Sequence, residues 1–281
     1  MCTVIAWNGQ LPKGLLTSLL IAAEVRGRDS TGVAWRDEEA KSIRVHKQAV
    51  EPRIYVEKSS RTLGEARRVA MGIAHTRRAS SGMPVDSDNA HPFVYRGFVY
   101  AHNGKIDNWK ELRDGGMDDL LAKQGTSPAV IETIKAARTD SQVIGPYIKE
   151  RDFTPVVGCA GLVWLNGSNV YCFRTQKELA ALVLTWVDTT PDLSGTVRPV
   201  EQQVCIVAST PEIIHRALSR TKTLALTSCA VVDQVLNENT AYRVTQSGCV
   251  PEGAVSVNPN NRADAFTSGA TDSTLDVTTT D

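Results

Sequence analysis

The second residue of the chain is a cysteine, and a small residue there permits removal of the initiator methionine. Cys2 would then carry a thiol and a free α-amine on one residue. Their ordinary pKa values, about 8.5 and about 7.7–8.0, make proton transfer from thiol to amine inexpensive near neutrality. Such a residue contains its own base and can attack an amide carbon. Taken alone, a cysteine at this position is more often an ordinary small buried residue. Four further segments bear on the choice. They are Arg26-Gly27-Arg28-Asp29-Ser30-Thr31-Gly32; His75-Thr76-Arg77-Arg78-Ala79-Ser80-Ser81-Gly82, with Asn89-Ala90-His91-Pro92 behind it; His102-Asn103-Gly104-Lys105-Ile106-Asp107-Asn108; and Thr139-Asp140-Ser141-Gln142-Val143-Ile144. At a strand end, the Asn103 side-chain amide and the Gly104 backbone N–H can converge on one developing oxyanion. The same dipeptide is also a hairpin-turn signal. A guanidinium such as Arg77 grips a carboxylate with two parallel hydrogen bonds, and Asp140 can receive an ammonium. Each of these charges alone would read as a structural ion pair.

In this order behind Met-Cys, these segments resemble the signature of class II glutamine amidotransferase domains, which belong to the N-terminal nucleophile (Ntn) hydrolases. The likeness is strong over residues 1–150 and extends to about residue 250. It implies an α+β fold, a four-layer αββα sandwich of two mainly antiparallel sheets. It also implies a glutaminase. Cys2 would attack the glutamine side-chain amide, form a γ-glutamyl thioester and release ammonia, with Asn103 and Gly104 as the oxyanion hole. Arg77, assisted by Ser80, would bind the substrate α-carboxylate and Asp140 the α-ammonium. His91 would line the site, while Arg26 and Asp29 would hold the loop around the amino terminus. Two positions depart from the pattern: Arg78 stands where relatives carry an aromatic, and Ser81 where they carry a histidine or a small residue. Neither removes a catalytic group.

These residues need elements to position them. Strands are expected at Cys2–Trp7, Val33–Arg36, Ile43–Lys47 and Val69–His75. Leu15, Leu16, Leu19, Leu20 and Ala23 follow helical spacing within Lys13–Val25, and Thr62–Arg68 reads as a second helix. Phe93–Tyr95 and Phe98–His102 flank Arg96-Gly97 as a tight hairpin. Residues 107–149 read as helix-rich, with breaks near Gly115-Gly116 and Gly125–Pro128. Ala160–Leu165 and Asn169–Arg174 surround Asn166-Gly167, a type I′ signal. Leu182–Val187, Gln203–Ala208, Thr223–Leu226 and Ala241–Thr245 are further strand candidates, and Pro211–Leu218 a helix opened by proline. Strands in runs with grouped helices point to packed sheets with helices outside.

Composition narrows the class. The chain has 281 residues, 42% of them hydrophobic, with 31 Lys+Arg against 31 Asp+Glu. A net charge of zero disfavours a nucleic-acid or membrane-surface binder driven by bulk electrostatics. The zero divides unevenly: residues 251–281 hold five acids (Glu252, Asp264, Asp272, Asp276, Asp281) and one base (Arg262), a net of −4, leaving +4 on the rest. Residues 1–253 are therefore expected to form the amidotransferase domain, and 254–281 an acidic disordered tail too poor in apolar residues to offset its ordering entropy. A short motif that folds on a partner is the alternative for that tail. No apolar run reaches the roughly 18–20 residues of a membrane span, and the amino terminus lacks the layout of a signal peptide. Six cysteines without a CxxC pair suggest reduced thiols and a cytoplasmic location. Three of the five histidines fall in the motif segments, yet none has zinc-ligand spacing, so no metal is expected. No Gly-rich nucleotide loop occurs, so no cofactor is expected either. The expected partners are L-glutamine and a separate subunit that accepts the ammonia. Two other functions remain open: an Ntn-type hydrolase of another γ-glutamyl or amide compound, and a catalytically silent interaction module of the same fold.

Overall fold

The computed structural model describes residues 2–79, 86–189, 196, 199–221, 229–259 and 261. Two antiparallel sheets dominate it. The first has seven strands in the order β12 (Cys229–Val235), β10 (Ala180–Asp188), β11 (Val200–Ala208), β1 (Thr3–Asn8), β4 (Met71–Arg77), β2 (Ser30–Asp37) and β3 (Ser42–Gln48). The second has six, in the order β14 (Gly248–Ala254), β13 (Thr240–Thr245), β9 (Asn169–Arg174), β8 (Gly158–Asn166), β6 (Phe98–Ile106) and β5 (Phe93–Tyr95).

Side-chain alternation explains why the sheets stack. In β1, Ile5 and Trp7 face a helix layer, while Val4 and Ala6 face the other sheet; successive strand residues point to opposite faces. The helix layer over the seven-stranded sheet comprises α1 (Leu15–Ala23), α2 (Pro52–Lys58), α3 (Ser60–Arg68) and α8 (Pro211–Arg220). Between the sheets lies a second core of small and branched residues, among them Ile73, Val99, Ala101, Val163 and Val207. Outside the six-stranded sheet pack α4 (Trp109–Glu111), α5 (Asp118–Lys123), α6 (Pro128–Lys135) and α7 (Gly145–Glu150). This is the αββα sandwich. Both faces of β1 and β4 are covered, so all seven residues of β4 are buried.

Several local expectations change. The first helix is shorter than Lys13–Val25, because Gly14 takes φ +86° before its first turn. Both central residues of the Arg96-Gly97 turn have positive φ, 44° and 89°. In the other hairpin Asn166 pairs with Asn169, so the turn residues are Gly167 and Ser168. Of these only Gly167 is positive, at φ +56°, which is not the type I′ pattern that Asn166-Gly167 suggested. The expected strand Thr223–Leu226 lies outside the described residues. Strands β12 and β14 lie where no element was expected.

Ordered structure also continues past residue 253. Ser256–Val257 (β15) pairs in parallel with Asp152–Phe153 (β7). Asn261 then fastens the chain: Gly158 N donates to its Oδ1 at 2.9 Å, its Nδ2 donates to the Val156 carbonyl at 3.1 Å, and Gln176 Nε2 donates to its own carbonyl. Asn261→Ala is expected to cost about 1–2 kcal/mol, measured as a lower midpoint in thermal unfolding. Residues 260 and 262–281, the rest of the expected tail, lie outside the described residues.

Candidate active site

One end of the space between the sheets gathers most of the candidate residues, and strand parity decides which ones. In β4, Met71 and Ile73 face the opposite sheet, so His75 and Arg77 do as well. In β6, Val99 and Ala101 face that way, and Asn103 follows. His102, of opposite parity, turns towards the outer helices, where its Nδ1 lies 2.9 Å from Ser141 Oγ. Cys2 opens into the same end. Its Sγ lies 3.4 Å from both the backbone N–H and the carbonyl of Arg78, the residue just past β4.

Among the described residues, no strand pairs with the Gly104 N–H. The residue itself pairs with Ala160 across β6 and β8. Ala160, however, directs its N–H to Thr175 Oγ1 at 2.9 Å and its carbonyl to Thr175 N–H at 2.8 Å, both away from β6. The pair is thus a non-hydrogen-bonded one, and the Gly104 N–H points to the opposite edge of β6. On that edge β5 pairs only as far as Tyr100. Beyond it, the His102 carbonyl lies 3.1 Å from His75 Nε2, and the Ile106 N–H donates to Asp140 Oδ2 at 3.0 Å. The Gly104 N–H therefore opens beside the Asp140 carboxylate.

Asp140 stands at the first position of a 3-10 turn, Asp140–Val143, whose start is held by Gln142 Oε1, which accepts from the Thr139 N–H at 2.9 Å and the Arg138 N–H at 2.7 Å. Its Oδ1 also accepts from Ser141 N–H at 2.9 Å. A carboxylate has about four lone-pair positions, so capacity remains for a cation. Arg77 is buried at 4% exposure at the end of β4. Arg26 Nε donates to the Cys2 carbonyl at 3.2 Å. Asp29 ties down the segment after β4: its N–H donates to the Arg77 carbonyl at 2.9 Å and its Oδ2 accepts from Ala79 N–H at 2.6 Å. Gly27 is required there, since a Cβ would stand 2.6 Å from the Arg77 carbonyl carbon. Ser80 and Ser81 lie outside the described residues.

His91 is packed into the interior, 3% exposed, with its ring centroid 3.9 Å from His75 and 4.5 Å from Phe93. Among the described residues no group of three His, Cys, Asp or Glu is placed to hold a metal ion. Burial pushes the His75 pKa down to about 3, with smaller repulsive contributions from His102 and Arg77. Burial also lowers His91 and His102. A folded-state pKa below the unfolded value of 6.5 means that only the unfolded chain takes up the proton as pH falls. Stability from His75 is therefore complete above pH 6.5 and declines towards pH 3. We expect unfolding free energy to fall by about 2 kcal/mol between pH 6.5 and pH 5 from this residue alone. Denaturant titrations at the two pH values should show a smaller decline for His75→Gln.

Charges around the thiol pull in both directions. Burial raises the Cys2 pKa above its ordinary value, and the negative charge of Asp140 adds to that. The Arg78 backbone hydrogen bond and, after it, the positive charges of the Met1 ammonium and Arg77 oppose it. A cavity of about 490 Å³ lies to one side, with Leu179, Ala181, Pro211 and Leu236 in its wall and Glu178 and Glu212 beside them. It holds none of the candidate residues.

Two contributors had little signal in the sequence. The backbone of Arg78 meets the thiol, a role that side-chain identity does not report. Ser209, fully buried, accepts from both Val4 N–H at 3.0 Å and Asn103 Nδ2 at 3.1 Å. As Ser209-Thr210-Pro211 it reads in sequence only as a helix start.

Comparison with known proteins bears on the family and the fold. Residues 1–119 match the family described as class-II glutamine amidotransferases. The isomerizing glutamine–fructose-6-phosphate aminotransferase of Lactiplantibacillus plantarum is 31% identical over 181 residues, which cover 63% of this chain and 27% of that protein. Its Bacillus subtilis counterpart is 31% identical over 199 residues, covering 67% and 31%. The chain thus spans 27% and 31% of these two relatives and as little as 18% of others it matches. Among solved structures, the glutamine phosphoribosylpyrophosphate amidotransferase of B. subtilis superposes with a TM-score of 0.52 at 16% identity, over 89% of this chain and 49% of that one. That likeness concerns the fold. The chain carries a class II glutamine amidotransferase domain. Among its described residues no helix is long and apolar enough to cross a membrane.

Proposed function

We propose that this chain hydrolyses the side-chain amide of L-glutamine at Cys2 and passes the ammonia to an acceptor handled by another domain or subunit. After removal of Met1, the Cys2 α-amine takes the thiol proton and the sulfur attacks the glutamine Cδ. The oxyanion so formed accepts from the Asn103 side-chain amide and the Gly104 N–H. The α-ammonium returns its proton to the leaving nitrogen, the C–N bond breaks, and a γ-glutamyl thioester and ammonia result. Water then cleaves the thioester, restoring the thiol and yielding glutamate. Arg77, aided by Ser80, holds the α-carboxylate, and Asp140 the α-ammonium. Arg26 and Asp29 steady the nucleophile's surroundings, and His91 backs the pocket from within.

The observation that supports this reading is the edge of β6, where an unpaired ladder position at Gly104 opens beside Asp140 at the same end of the sheets as Cys2 and Arg77. A donor for an oxyanion and a carboxylate for an ammonium are what a free amino-acid amide requires. No metal or cofactor enters the scheme, and a reducing cytoplasm suits a reactive thiol. The test is release of glutamate and ammonia from L-glutamine beside two analogues, the D-enantiomer and glutaric acid monoamide, which lacks the α-amine. L-Glutamine is expected to exceed both in kcat/KM by 100-fold or more, about 3 kcal/mol for the ammonium contact. Equal turnover of the monoamide would favour the hydrolase of another amide; no turnover of any would favour the silent module.

A further inference from the structure

We infer that Ser209 is a positioning residue for the oxyanion hole, acting through Asn103; this rests on the glutaminase reading above. Ser209 follows β11, and continuing the parity of Cys205 and Val207 its side chain points between the sheets. It is fully buried. Its hydroxyl oxygen accepts two N–H groups, from Val4 at 3.0 Å and from Asn103 Nδ2 at 3.1 Å, while its own N–H donates to the Val4 carbonyl at 3.1 Å. One serine thus joins the end of β11, the strand that carries the nucleophile, and the amide offered to the substrate.

The chemistry of a primary amide gives this contact its consequence. The Asn103 nitrogen has two hydrogens. Ser209 takes one, which fixes the side-chain torsion and the sense of the amide, so the second hydrogen is held in one direction. Because Val4 lies in β1 only two residues after Cys2, the same oxygen sets the distance between nucleophile and donor. An oxyanion hole acts by being organised before charge develops. A serine that organises it should influence the chemical step and leave substrate capture alone.

The experiment uses the full chain with Ser209→Ala, Ser209→Thr and Asn103→Ala, singly and combined. Ser209→Ala is expected to lower kcat about 10- to 100-fold with glutamine KM changed by less than about 2-fold, and Ser209→Thr to recover part of the loss. In the Asn103→Ala background, Ser209→Ala should add little, because both changes remove the same donor. Alkylation of Cys2 by iodoacetamide, which needs no oxyanion hole, should keep its wild-type rate. Full additivity of the two changes, a parallel fall in alkylation, or an unchanged kcat would overturn the inference. Nitrogen-edited NMR reads the contact without turnover: the Asn103 amide, identified by its loss in Asn103→Ala, should show one slowly exchanging hydrogen that Ser209→Ala releases. If wild-type protein fails to hydrolyse glutamine, the functional reading fails. The NMR result still decides whether Ser209 holds Asn103, and an amide equally labile in both proteins would refute it.

Discussion

Cys2→Ala is expected to abolish glutamine hydrolysis, by a factor on the order of 10⁴ or more, while leaving glutamine binding intact. The size follows from the chemistry: without the thiol no covalent intermediate forms, and water has no comparable nucleophile positioned at the amide. Binding should survive because the proposed contacts to the amino-acid head, Arg77 and Asp140, belong to β4 and to the turn that begins after Thr139. Isothermal titration with L-glutamine should therefore give a Kd within a few-fold of the wild-type KM, while the coupled ammonia assay falls to background. Intact mass should show the chain lacking Met1. An active protein that retained Met1 would remove the α-amine from its role as base. Undiminished turnover by Cys2→Ala would remove the assignment altogether.

Gly104→Ala is expected to be the most damaging single methyl group at the site. A Cβ at this position would be directed against the Cys159 carbonyl, only 2.9 Å from that carbonyl carbon and 2.6 Å from His102 Nε2. Neither neighbour can yield cheaply, since Cys159 is backbone in β8 and the His102 ring is held at Nδ1 by Ser141. The strand itself must shift, at about 1–3 kcal/mol or more. The shift would carry the Gly104 N–H away from the oxyanion, costing about 10²–10³ in kcat. Both effects are measurable on one preparation, by denaturant unfolding and by steady-state kinetics. A normally active, normally stable Gly104→Ala protein would show that this N–H takes no part.

Much of the candidate site can be named from the sequence because its proposed chemistry is concentrated in short motifs. Asn103-Gly104 carries its two donors on adjacent residues, and Arg77 and Asp140 announce opposite charges for a zwitterion. The acidic boundary near residue 253 was less well read. Composition correctly reports few apolar groups there, but Asn261 is held by hydrogen bonds with Val156, Gly158 and Gln176, and composition does not count those. The short strands β7 and β15, two residues each, have no period long enough to detect. Ser209 escaped notice because serine before Thr-Pro has a sufficient local explanation.

The sequence by itself determined the order of the motifs, the identity of the groups able to do chemistry, and the short apolar runs that make β1, β4, β6 and β11 strands. These properties are local, set by residue type along the chain. The tertiary structure alone decided that Asn103 and Ser209, 106 residues apart, share a hydrogen bond. It alone decided that the Gly104 N–H lies on the unpaired edge of its strand beside Asp140. Pairing partner and ladder phase are properties of two strands together, and nothing within either strand specifies which of its amides will be left without a neighbour.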